Sequence, residues 1–211
     1  MRIEVISDVI CPWCFIGKRN LEAALVLLVE EGLDFTTGWR PYQLNPDMPE
    51  GGIARAMYRA AKFGSAERAS ALDANVAQAG KVVGLDFRFD RMERTPNTVL
   101  AHRLVGLASA GQQDAVVERL FAAYFQDGLD VGDLAVIEAI AAQSGIDPAP
   151  LAGDSGALDV RAADEAARHA GLDGVPSFLM EGYFLFSGAM PAEAMASQFR
   201  RARAVLAARA A

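Results

Sequence analysis

Cys11 and Cys14 are separated only by Pro12 and Trp13, so both thiols of this 211-residue chain belong to one C-x-x-C unit. Disulfide exchange needs a thiolate that attacks and a second thiol near enough to resolve the mixed disulfide. Two intervening residues at a helical start bring both sulfurs within bonding reach. The helix N-terminus adds activation, because its free N–H groups and partial positive charge favour a thiolate over a thiol. Cys11 is therefore assigned as the attacking nucleophile and Cys14, one turn deeper, as the resolving thiol. Two other readings compete. Zinc takes four ligands, and the only histidines, His102 and His169, lack the close spacing of zinc modules, so no metal site is expected. Two incidental buried cysteines are the second reading, and their place at a strand-to-helix turn weighs against it.

The elements that must position these thiols follow from periodicity. Ile3, Val5 and Ile6 form a β-rich run that ends at Ser7-Asp8, which reads as a buried first strand and a turn. From Pro12, residues Ile16, Leu21, Ala24, Leu25 and Leu28 recur at helical spacing up to Gly32. Pro12 takes the first helical position, where its missing N–H costs nothing, and Cys11 becomes the N-cap. Asp34 to Arg40 reads as a second strand before a proline-punctuated loop. From Ile53 to Ser144 the chain is alanine-rich and helical in period, with Val116, Val117, Leu120, Phe121, Tyr124 and Phe125 on one apolar face. Thr95 to Thr98 reads as a capped helix start, and Gly111, Gly128 and Gly145 mark helix ends. A helix from Leu158 to Ala170 precedes a hairpin, Pro176 to Met180 and Tyr183 to Phe186 around Glu181-Gly182. A last helix begins near Pro191.

Assembled, this is an α/β chain with βαβ at the front, ββα at the back and helices between, the order of a thioredoxin fold with a large all-helical insertion. The expected division is a thioredoxin-like domain at 1–50 and 156–211 and a helical insertion domain at 51–155. Hydrophobic residues make up 52% of the sequence, enough to build a core without disulfides. The formal net charge of −7 offers no footprint for a phosphate backbone, so nucleic acid is excluded as a partner. No stretch approaches the ~20 apolar residues of a membrane helix. Glu4 and Asp8 interrupt the apolar run at the start, so the expected compartment is cytoplasmic, where a lasting structural disulfide is not expected.

Cys11-Pro12-Trp13-Cys14 after a first strand, the late Gly174-Val175-Pro176-Ser177-Phe178 segment and the long helical region between them resemble the DsbA family of thioredoxin-fold oxidoreductases. Asp8 with Cys11 to Gly17, Leu44-Asn45-Pro46, and Pro96-Asn97-Thr98 leading to Ala101-His102-Arg103 are similar to its cytoplasmic FrnE-like branch. On the residues alone, Pro176 reads as a trans proline at a strand edge. The resemblance implies instead a cis Val175-Pro176 peptide facing the cysteines and offering backbone groups to an extended substrate. Pro12, Trp13, Val175 and Pro176 are then the substrate-binding candidates, with Trp13 either an apolar lip or a packing residue. Two departures stand out. Val5 occupies the position where thioredoxin-like enzymes often bury a carboxylate, and Trp13 stands where strongly oxidising members carry histidine. Asp8, the only nearby acid, reads as a loop hydrogen-bonder, and proton transfer at Cys14 then depends on water or a substrate group. His102 and His169 are left outside the site.

The leading functional expectation is a thiol-disulfide oxidoreductase acting on disulfide-bearing proteins or small thiols, with a cellular reductant or oxidant as its second partner. No tightly bound cofactor is expected, and glutathione is a candidate co-substrate. One alternative is a glutathione-dependent isomerase or transferase of the kappa-class or hydroxychromene carboxylate isomerase type, whose members usually lack the second cysteine. The other is a non-enzymatic metal-binding or chaperone-like module. Direction of exchange depends on a reduction potential set against the local poise.

Overall fold

The structure, a computed structural model, describes residues 1–210. Its first strand β1 (Arg2–Ser7) alternates in the way a doubly covered strand must. Ile3 and Val5 enter the main core, while Ile6 points into a smaller cluster with Tyr42, Ala167, Leu172 and Leu179 on the other face. α1 (Pro12–Glu30) starts at Pro12 with Cys11 as N-cap, and buries Cys14, Phe15, Leu21, Ala24 and Leu28. β2 (Thr36–Pro41) runs parallel to β1, with Val5 opposite Trp39.

The chain re-enters this sheet only near its end. The antiparallel pair β5 (Ser177–Met180) and β6 (Tyr183–Ser187) turns through Glu181 and Gly182, both at positive φ, and β5 pairs antiparallel with β1. A two-residue turn with positive φ at both positions matches the twist of the strands it joins. The sheet order is β2-β1-β5-β6.

Between β2 and β5 lie α2 (Arg55–Phe63), α3 (Ala66–Val82), α4 (Val99–Leu107), α5 (Gln113–Phe125), α6 (Leu134–Gln143) and α7 (Ala157–His169). α8 (Ala192–Ala210) closes the chain and packs along α1. The insertion is not all-helical, as its periodicity suggested. β3 (Ile53–Ala54) pairs antiparallel with β4 (Arg94–Thr95), joining the two ends of the α2–α3 unit. Two-residue strands carry no period to read, and next to this ribbon Gly52, at φ +62°, lies against the Thr95 carbonyl where a Cβ would clash at 2.5 Å. No helix among the described residues is long and apolar enough to cross a membrane.

The helical segment and the sheet share one hydrophobic core. Phe15 of α1 stacks on Phe121 of α5 at 4.9 Å between ring centroids and meets Phe87 edge-on at 6.1 Å. Beside them, buried Lys18 of α1 reaches Asp114 at 3.0 Å and Glu118 at 3.1 Å, and also bonds Glu22. Burial alone would depress the Lys18 pKa, but the three carboxylates outweigh it and the net direction is upward. α1 is thus clamped to α5 by apolar and ionic contacts one turn apart, which fixes the helix whose first residue follows Cys11.

Candidate active site

Cys11 sits at the N-terminus of a 19-residue helix with no acidic residue in its first turn, so nothing there opposes the positive end of the dipole. Its carbonyl receives the N–H groups of Cys14 at 3.0 Å and Phe15 at 3.4 Å, closing the first turn and putting Cys14 directly beneath it. The Cys11 thiol donates to the Val175 carbonyl oxygen at 3.6 Å. Both cysteines are free thiols. The sequence implies an open attacking sulfur, whereas Cys11 is only 4% exposed. It is packed into the main core, and Val175, from a segment 164 residues away, lies against its sulfur. Access to the sulfur runs through the cavity whose wall it forms.

Cys14 is 1% exposed. Burial pushes its thiol well above the ordinary value and the neighbouring Cys11 sulfur adds to the shift, with only partial relief from the Ser7 hydroxyl and the Asp8 backbone. A buried, protonated thiol beneath an N-cap thiol is the arrangement a resolving cysteine requires.

The Val175-Pro176 peptide is cis, and Pro176 packs on α1 at Gly17. A Cβ at Gly17 would lie 2.9 Å from Pro176 Cγ, so this glycine is needed for the helix to approach the proline. Gly17→Ala is expected to gain about 1 kcal/mol of helix propensity and to lose about 1–3 kcal/mol to overpacking. Urea unfolding should therefore register a net change of under about 2 kcal/mol. The displaced Pro176 should at the same time change the rate at which iodoacetamide labels Cys11 several-fold. An unaltered rate would mean that the Gly17–Pro176 contact does not position the site.

Asp8 is fully buried and behaves as the loop hydrogen-bonder expected of it, accepting the Leu44 N–H at 2.7 Å. Its other oxygen lies 3.4 Å from His102 Nε2, which also meets the Tyr42 carbonyl oxygen at 3.1 Å. His102 is a buried histidine with backbone and carboxylate partners, and His169 is exposed on α7. Thr98 occupies the N-cap of α4, but the capping bond comes from Asn97, whose Oδ1 accepts the Val99 N–H at 3.0 Å. Asn97 also donates to the Met48 carbonyl at 2.6 Å. The motif residues outside the C-x-x-C unit therefore pin the 41–50 loop against α4, beside Cys11.

Trp13 is 44% exposed. With Cys11, Pro12 and Val175 it forms one wall of a cavity of ≈ 480 Å³. The charged part of the lining comes from the insertion and was not among the residues singled out from sequence. It carries Arg55, Tyr58, Arg59 and Lys62 of α2 and Asp73 of α3. The available signal was the spacing of Arg55, Arg59 and Lys62, which puts three cations on one helical face. What that face opposes is set by the path of the chain between β2 and β5.

The DSBA-like thioredoxin domain family matches residues 2–200 of this chain. A probable DsbA oxidoreductase from Streptomyces coelicolor is 29% identical, with a TM-score of 0.85 over 97% of this chain and 90% of its own. The cytosolic disulfide reductase DsbM from Pseudomonas aeruginosa, with GSH, shares the fold at a TM-score of 0.58 and 19% identity, covering 99% of this chain and 98% of that one. The uncharacterized protein YwbO from Bacillus subtilis is 25% identical over 173 residues, 81% of this chain and 78% of that protein.

Proposed function

This chain belongs to the DSBA-like thioredoxin domain family, and from that membership we propose that it exchanges a Cys11–Cys14 dithiol/disulfide with protein or small-molecule disulfides. The single observation that carries the reading is the stack of two free thiols at the start of α1, the upper one at a cavity wall and the lower one buried beneath it. The Cys11 thiolate attacks a substrate disulfide, forming a Cys11–substrate bond and expelling one substrate thiolate, which takes a proton from water. Cys14, once deprotonated, attacks Cys11 and releases the second thiolate, leaving Cys11–Cys14 oxidised and the substrate reduced by two electrons. The reverse sequence oxidises a dithiol.

Trp13 and Pro12 form the lip over which a substrate enters. Val175 and Pro176 present backbone to an extended segment, a role supported by the Val175 carbonyl already meeting the Cys11 thiol. Glutathione is the co-substrate we put forward, since DsbM is described with GSH. A cytoplasmic setting belongs to the same proposal: both cysteines are committed to the C-x-x-C unit and none remains for a structural disulfide. The isomerase or transferase alternative leaves Cys14 without a task.

The test is a redox titration of the full chain in glutathione buffers, read by mass spectrometry after acid quenching. One transition, in which both cysteines lose their hydrogens together, is expected. In the reduced folded protein iodoacetamide should label Cys11 first and reach Cys14 only on unfolding. Failure to form the disulfide at the most oxidising ratio would sink the proposal.

A further inference from the structure

We propose that the cavity beside Cys11 is a pocket for a small disulfide or thiol with an apolar body and a carboxylate, the carboxylate being held by Arg59 and Lys62 of α2. The inference rests on the exchange reading of Cys11, and adds to it the class of substrate.

Charge is the first argument. The chain as a whole carries −7, yet the α2–α3 wall sets three cations against one carboxylate. Asp73 bonds both Arg55, at 2.8 Å, and Arg59. Lys62 has only neutral partners among the described residues, the Tyr58 hydroxyl and, at 3.5 Å, Asn45 Oδ1. Arg59 and Lys62 therefore leave this part of the cavity lining with a net positive charge, and a carboxylate meets a guanidinium or an ammonium there with charge-assisted bonds.

Shape is the second argument. Ile10, Leu44, Phe63, Phe89 and Met92 supply much of the remaining lining, so the body of the ligand must be apolar. A volume of ≈ 480 Å³ falls within the range of about 300–1,000 Å³ usual for small-molecule sites. Cys11 lines the same cavity as α2, so a sulfur attached to such a body would meet the thiolate while the carboxylate meets the cations. The bond changes are those of the exchange step: Cys11–S forms, the ligand S–S breaks, and the departing thiolate is protonated by water.

Calorimetric titration of the reduced full chain with 4-phenylbutyrate, which has the body and the carboxylate but no sulfur, tests the pocket apart from the redox chemistry. The acid should bind at least about tenfold more tightly than its amide. Arg59→Gln and Lys62→Gln should each weaken it by about tenfold, while Lys81→Gln, outside the cavity on α3, leaves it unchanged. In stopped flow, the reduced enzyme should saturate with the aromatic dicarboxylate 5,5′-dithiobis(2-nitrobenzoate). Equal affinity for acid and amide, or displacement of the acid by a lower concentration of glutathione, overturns the assignment. If binding fails but the glutathione-buffer titration still yields the Cys11–Cys14 disulfide, the pocket proposal falls alone. If the disulfide fails to form, the exchange reading falls and the calorimetry still judges the pocket.

Discussion

Cys11→Ser is expected to bring insulin reduction by dithiothreitol down to the uncatalysed rate, whereas Cys14→Ser should arrest the enzyme as a mixed disulfide on Cys11. The two outcomes differ because the sulfurs do different work. A serine hydroxyl at the N-cap stays protonated at neutral pH and is no nucleophile toward sulfur, so the first step is lost outright. With Cys14 replaced, the first step survives and only its resolution is missing. The trapped adduct can be counted by mass spectrometry after mixing with oxidised glutathione. The wild-type resolution step should also quicken as pH rises. Burial and the Cys11 sulfur hold the Cys14 pKa up, so its thiolate fraction is small at neutral pH and grows with alkalinity until that raised value is passed. Full activity in Cys11→Ser would remove the proposed chemistry altogether.

Phe15→Ala should cost about 3–5 kcal/mol of stability in urea unfolding, among the largest effects of any single truncation here. The ring is fully buried. It stacks on Phe121 at 4.9 Å and lies 6.3 Å from Phe125 and 6.1 Å from Phe87. Its removal forfeits transfer energy, opens a cavity, and breaks aromatic pairs worth about 0.5–1.5 kcal/mol each. Phe184→Ala is the control: that ring is 53% exposed on the edge strand, and its loss should stay near ±0.5 kcal/mol. Because Phe15 joins α1 to α5, Phe15→Ala should still unfold in one transition, seen alike by tryptophan fluorescence and by helical signal. A loss below about 1 kcal/mol, or two separated transitions, would show that the insertion and the thioredoxin unit are not held by this cluster.

Those contacts also explain which parts of the protein could be read without a structure. Helix α1, strands β1 and β2, the hairpin and the closing helix were legible because each is specified by neighbours in sequence. Pro12 suits the first helical position, Ile3 and Val5 alternate, and Glu181-Gly182 accepts positive φ. The β3–β4 ribbon was not legible, since two-residue strands leave no periodic trace. The capped helix start at Thr95 to Thr98 was legible as a segment, but Thr and Asn satisfy the same capping rule, and only the local geometry chose Asn97 as the acceptor.

For the site, the sequence by itself determined the two cysteines, their spacing and their place at a helix start, because spacing and the proline after Cys11 act within a single turn. Tertiary structure decided everything those thiols face. The Val175 carbonyl against Cys11, the packing of Pro176 on Gly17, the burial of Asp8 against Leu44 and His102, and the cationic α2 wall all join residues far apart in the chain. Contacts of that kind depend on how the helices between β2 and β5 return over the sheet. Local propensity has no term for that return, whereas packing of the shared core selects it.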